Sequence, residues 1–121
     1  MDRLTRFKKS FSNALSGLTY ALKNEKNFQN EVIAAFFIVA AIIYFKVTRA
    51  ESVALILVIS GVLLAELLNT VVERVLDILK PRVHPYIKMI KDMMAAAVLL
   101  TSILAVVIGI IIFYPYVKAV F

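Results

Sequence analysis

Glu66, Asn69, Glu73 and Asp77 follow one another at intervals of three, four and four residues in the stretch AELLNTVVERVLD. The stretch directly continues an apolar run, VALILVISGVLL. At about 100° per residue on a helix, the four polar positions fall near 0°, 300°, 340° and 20°, a single stripe. At about 1.5 Å of rise per residue that stripe is about 16 Å long. A carboxylate in a membrane span costs roughly 2.5–3.5 kcal/mol on insertion scales, so three of them on one face imply a protein-lined, wet site. Carboxylates grouped with an amide are hard oxygen donors of the kind that hold Mg²⁺.

More ionisable residues flank the same level. Glu25 and Glu31 lie at the start of the first apolar stretch, and Lys91 and Asp92 precede the third. A lysine at a helix start can meet a phosphate as a point charge. Arg6, Lys9 and Arg82 add positive potential. Metal-binding carboxylates, a cation and a carboxylate able to accept a hydroxyl proton are together the parts of phosphoryl transfer. The same residues are also compatible with an ion or proton pathway in a small transporter subunit. A third reading makes them structural, with Glu66 hydrogen-bonded in a helix bundle and Glu73 and Arg74 solvated at a span end. His84, beside Pro85, reads on its own as a loop residue. Neither GxxxxGK[ST] nor a kinase glycine-rich loop is found, so a nucleotide would be held without those devices.

The elements that carry these residues are apolar helices. Of the 121 residues 62% are apolar types, with three glycines and three prolines, against about 45–50% apolar in an average globular protein. Mean hydropathy is +0.89. A soluble chain of this size could not bury so much apolar surface in one core. There is no cysteine, hence no disulfide and no thiolate metal site. The predicted architecture is an all-α membrane protein of one domain, residues 1–121.

Residues 1–27 form an amphipathic helix. Leu4, Phe7, Phe11, Ala14, Leu15, Leu18 and Leu22 make its apolar face, and Arg3, Arg6, Lys8, Lys9 and Lys23 lie mostly off it. Such a helix rests in the membrane interface. It lacks the apolar core of a signal peptide. Three spans follow, at 28–45, 53–77 and 93–117, joined by a short turn at Lys46–Ser52 and a loop at Ile78–Asp92 containing Pro81 and Pro85. In the first span only Val32–Phe45 is uninterrupted, so Gln29, Asn30 and Glu31 dip into the membrane boundary.

Eleven basic residues lie in the N-terminal segment and around the second connection, against three (Lys46, Arg49, Lys118) on the other side. That asymmetry places the N-terminus in the cytoplasm and the C-terminus outside. The net charge of +6 fits contact with anionic headgroups. No aromatic–basic platform is present, so nucleic acid is not an expected partner.

The order Glu66-x-x-Asn69-Thr70-x-x-Glu73-x-x-x-Asp77, then Lys91-Asp92-x-x-x-Ala96-Ala97-Val98, resembles the small prokaryotic membrane lipid kinases, the diacylglycerol kinase and undecaprenol kinase family. ALKNEKNFQNE, with Glu25 and Asn27, is similar to a second motif of that family. The likeness extends over nearly the whole chain. It implies an inner-membrane homotrimer, with sites between subunits near the cytoplasmic interface, that phosphorylates a lipid alcohol using ATP and Mg²⁺. It further implies Glu66 as general base, Glu25 and Glu73 as metal ligands, and a nucleotide site of Arg6, Glu25, Asn69, Glu73, Asp77, His84, Lys91 and Asp92. The implied lipid site comprises Arg6, Asn27, Phe28, Glu31, Glu66 and Ala95. Gln29, where many members have arginine, Val71, and Met93 with Met94 depart from the pattern without removing an implied catalytic group.

Overall fold

The computed structural model describes residues 2–80 and 84–121, apart from the side chain of His84. Four helices run in chain order: α1 (Arg3–Asn24), α2 (Lys26–Phe45), α3 (Arg49–Leu79) and α4 (His84–Val120). No strand occurs among the described residues.

Helix α1 begins at Asp2, whose carboxylate accepts the Thr5 backbone N–H at 2.8 Å. That bond satisfies one of the donors a helix start leaves free and holds the Asp2 carboxyl below its usual range. Only Ala21 of α1 is buried. Its apolar stripe, including Leu4, Phe7 and Phe11, is left uncovered by the rest of the chain, the condition of a helix lying on a membrane surface. The expected helix to residue 27 ends earlier. Glu25 is extended, with φ −108° and ψ 105°, and separates α1 from α2 by a single residue. The break keeps its backbone bonded: Glu25 N–H donates to Ala21 O at 2.9 Å, and Gln29 N–H donates to Glu25 O at 3.0 Å. The Gln29 side chain donates to Leu22 O at 2.8 Å, tying the two helices across the corner.

The 20 residues of α2 measure about 30 Å, the thickness of a hydrocarbon core. The helix stops at Lys46, which adopts the left-handed conformation with φ 53°. Two residues later Thr48 caps α3. Its hydroxyl accepts from Glu51 N at 3.1 Å while Glu51 Oε1 accepts from Thr48 N at 2.9 Å. This reciprocal capping box starts the helix at Arg49, so most of the expected turn at Lys46–Ser52 is helical.

Helices α2, α3 and α4 are each long and apolar enough to cross a membrane. The 31 residues of α3 extend about 46 Å, more than a hydrocarbon core requires. The polar stripe occupies the C-terminal half of the helix. The expected loop at Ile78–Asp92 is helical at both ends, because α3 continues to Leu79 and α4 starts at His84. Pro85 sits in the first turn of α4, where a missing N–H breaks no intrahelical bond.

The spanning helices are arranged around α3. Helix α4 packs along it most extensively, α2 less so, and α1 meets the start of α2. Phe28, Leu55, Leu76, Ile87 and Ile112 are buried between helices. Phe36, Phe37 and Ile43 are more than two-thirds exposed, as lipid-facing side chains are. At the end of the bundle holding the α2–α3 turn, Phe45 packs against Phe113 and Tyr116, and the Tyr116 hydroxyl donates to Glu51 Oε1 at 2.5 Å.

Candidate active site

The polar stripe of α3 is graded in depth. Glu66 is buried, with 4% of its surface exposed. Asn69 and Glu73 are half-buried, and Asp77 is exposed. Two local bonds stiffen the stripe. Thr70 Oγ1 donates to Glu66 O at 3.0 Å, and Asn69 Nδ2 donates to Glu73 Oε1 at 3.3 Å.

The start of α2 supplies the facing wall. Asn27, Glu25 and Glu73 all lie near enough to the Glu66 carboxylate to act on its charge. Glu31 also lies within electrostatic reach of Glu66. Its Oε2 is buried and has no hydrogen-bond partner among the described residues. Glu31 stands at one end of an apolar groove of about 520 Å³ bounded by α2, α3 and α4, with Ala35, Val62 and Gly109 among its walls. Four carboxylates, Glu25, Glu31, Glu66 and Glu73, thus gather where the short break between α1 and α2 abuts α3.

Cations border this cluster on the exposed side. Arg74 Nη2 donates to Glu25 Oε1, and Tyr20 lies beside the guanidinium. One turn further, Lys91 Nζ reaches Asp77 Oδ1 at 3.2 Å and joins α4 to α3.

The expected site residues therefore separate into groups. Glu25, Asn27, Glu31, Glu66, Asn69 and Glu73 come together in one chain, with Asp77 and Lys91 adjoining them. Asp92 instead pairs with Lys88 on its own helix at 2.8 Å. Arg6 is exposed on α1, and the straight helix between Arg6 and Asn24 sets it about 27 Å from the junction. Ala95 is exposed on α4, whereas Phe28 is buried packing at the start of α2. Arg82 and the side chain of His84 lie outside the described residues. The Arg74–Glu25 pair has no periodic signal in the sequence, since its partners are 49 residues apart.

Among the described residues no three side chains of metal-binding type converge on one point. Glu25 and Glu73, both near Glu66, offer two carboxylates. Mg²⁺ commonly takes one or two carboxylates and completes its shell with water and substrate phosphates. The donor set fits that mode rather than a closed protein cage.

The model of the family described as prokaryotic diacylglycerol kinase matches residues 12–113. The chain belongs to that family. Among its relatives, the undecaprenol kinase of Bacillus subtilis (strain 168) is 33% identical over 114 residues, covering 94% of this chain and 93% of the relative. The diacylglycerol kinase of Escherichia coli (strain K12) is 33% identical over 103 residues, covering 85% and 84%. That of Haemophilus influenzae (strain ATCC 51907 / DSM 11121 / KW20 / Rd) is 35% identical over 115 residues, covering 92% and 95%. Family membership makes this chain a kinase. The matched region contains the whole acidic cluster and Lys91, and leaves Arg6 outside.

Proposed function

We propose that the whole chain is one lipid-kinase domain. It moves the γ-phosphoryl group of ATP, taken with Mg²⁺, to the hydroxyl of a membrane lipid alcohol, undecaprenol or diacylglycerol. The observation that carries this reading is the depth gradient from buried Glu66 to exposed Asp77. It suits a proton acceptor on the lipid side of the site and nucleotide-facing groups on the water side.

Glu66 accepts the proton of the lipid hydroxyl as that oxygen attacks the γ-phosphorus. Asn27, beside Glu66, orients the carboxylate. The bond from phosphorus to the bridging oxygen breaks, and ADP departs toward the cytoplasm. Glu25 and Glu73 would hold Mg²⁺, and Asn69 fixes the Glu73 carboxylate through its 3.3 Å bond. When bound, Mg²⁺ supplies neutralisation of phosphate charge. Asp77 and Lys91 flank the polyphosphate, with His84 toward the base. Glu31, at the mouth of the apolar groove, faces the lipid headgroup. Most of the rate enhancement in such a site comes from positioning and charge.

The enzyme resides in the bacterial inner membrane, with the acidic cluster at the cytoplasmic face and the C-terminus outside. It works as a homotrimer. The position of Arg6, about 27 Å along α1 from the junction, supports this, because a neighbouring copy could bring it to the cluster. The test is to incubate purified protein with labelled ATP and Mg²⁺ and either undecaprenol or diacylglycerol. Label in one lipid is the expected result; label in neither refutes the reading.

A further inference from the structure

Arg74 is the one cation that, among the described residues, pairs with any member of the four-carboxylate cluster; the other ion pairs are Lys91–Asp77 and Lys88–Asp92. Its partner is Glu25, the residue at the break between α1 and α2. The Glu25 carboxylate makes no capping bond to α2, so its orientation depends on Arg74. The Arg74 side chain is 52% exposed, against 16% for Glu25. A pair this open contributes little as a permanent brace, and the guanidinium has room to turn. Arg74 and Asp77 are three residues apart on α3, hence neighbours on one helix face. Asp77 in turn pairs with Lys91 of α4.

Building on the kinase reading above, we propose that Arg74 is an exchangeable counter-ion. Without nucleotide it neutralises Glu25. When the Glu25 carboxylate engages the metal of an incoming metal–nucleotide complex, the released guanidinium turns to the nucleotide phosphates. The planar fork of arginine suits bidentate contact with phosphate oxygens, and Lys91 then meets the polyphosphate from the α4 side. The exchange keeps the cluster from drawing in a bare divalent cation and couples metal capture to nucleotide capture.

The two halves of the exchange have opposite signs in a binding experiment on the purified, full-length protein in detergent micelles. Mn²⁺ binding is measured by electron paramagnetic resonance without nucleotide. Binding of a non-hydrolysable ATP analogue with Mg²⁺ is measured by calorimetry. Arg74→Gln is expected to tighten Mn²⁺ binding and weaken the analogue, each by about tenfold, the size of one charge-assisted contact. Arg74→Lys, which keeps the charge and the fold but loses the fork, is expected to leave Mn²⁺ affinity within about threefold and still weaken the analogue. Unchanged or weakened Mn²⁺ binding in Arg74→Gln would overturn the exchange and make Arg74 a brace. Should that variant fail to fold, full analogue affinity in Arg74→Lys would overturn it instead. If the native chain binds neither probe, the kinase reading falls as well; if it binds both and the variants match it, only the Arg74 proposal falls.

Discussion

Lys91 Nζ lies 3.2 Å from Asp77 Oδ1 and is the ion pair that ties α4 to α3 at the charged end of the bundle. Both side chains are more than a third exposed, so solvent screens their attraction and the pair adds little to folding stability. Its worth is positional, because it holds a cation beside the acidic stripe. Lys91→Met is expected to raise the KM for ATP about tenfold or more, the size of one charge-assisted phosphate contact. The thermal midpoint should stay close to that of the native chain. Unaltered KM with a lowered midpoint would show that Lys91 is a structural tie.

Glu66 is the most buried carboxylate of the stripe, and Glu66→Gln keeps its shape while removing the proposed proton acceptor. Turnover should fall by about 10²–10⁴, the usual contribution of a general base. Binding of an ATP analogue with Mg²⁺ should persist, since the proposed nucleotide groups lie further along the helix. Near-native turnover in detergent micelles would remove Glu66 from the proton-transfer step.

The stripe itself was legible from sequence, because a helical period needs only the spacing of Glu66, Asn69, Glu73 and Asp77. So were the three spans, as apolar runs. The break at Glu25 was not: no glycine or proline marks it, and it is stabilised by bonds from Gln29 and to Ala21 that only the folded corner provides. The segment after Pro85 misled in the opposite direction. Proline signals a loop in general, but in the first turn of a helix it has no bond to lose, so Tyr86–Asp92 belong to α4. The motif Thr48-x-x-Glu51 was readable as a capping box, yet its helix start was subsumed in a turn. Contacts between distant segments, such as Arg74 with Glu25, are set by how α1, α2 and α3 pack and leave no trace in local spacing.

At the other end of the bundle, Glu51 accepts from both Thr48 N and the Tyr116 hydroxyl. The contact ties the start of α3 to the end of α4, far from the acidic cluster. Tyr116→Phe removes the hydroxyl and preserves the ring packing on Phe45. It should lower the thermal midpoint while leaving the KM for ATP and for lipid unchanged. A changed KM with an unchanged midpoint would mean that this end of the bundle communicates with the site.

Lys46 ends α2 in the left-handed conformation, φ 53° and ψ 48°, a region that an L-residue enters at a cost of about 1–2 kcal/mol and glycine enters freely. Part of that gain is offset because glycine makes the unfolded chain more flexible. Lys46→Gly is therefore expected to stabilise the protein by about 0.5–1 kcal/mol, read as a higher midpoint in thermal or denaturant unfolding in micelles. The side chain forms no ion pair among the described residues, so its loss should cost nothing at the turn. Destabilisation by this substitution would show that the lysine has a stabilising contact outweighing the backbone gain, for which the membrane interface is the available partner. Repeating the measurement in neutral and in anionic lipid would separate the two contributions, since only the interfacial one depends on headgroup charge.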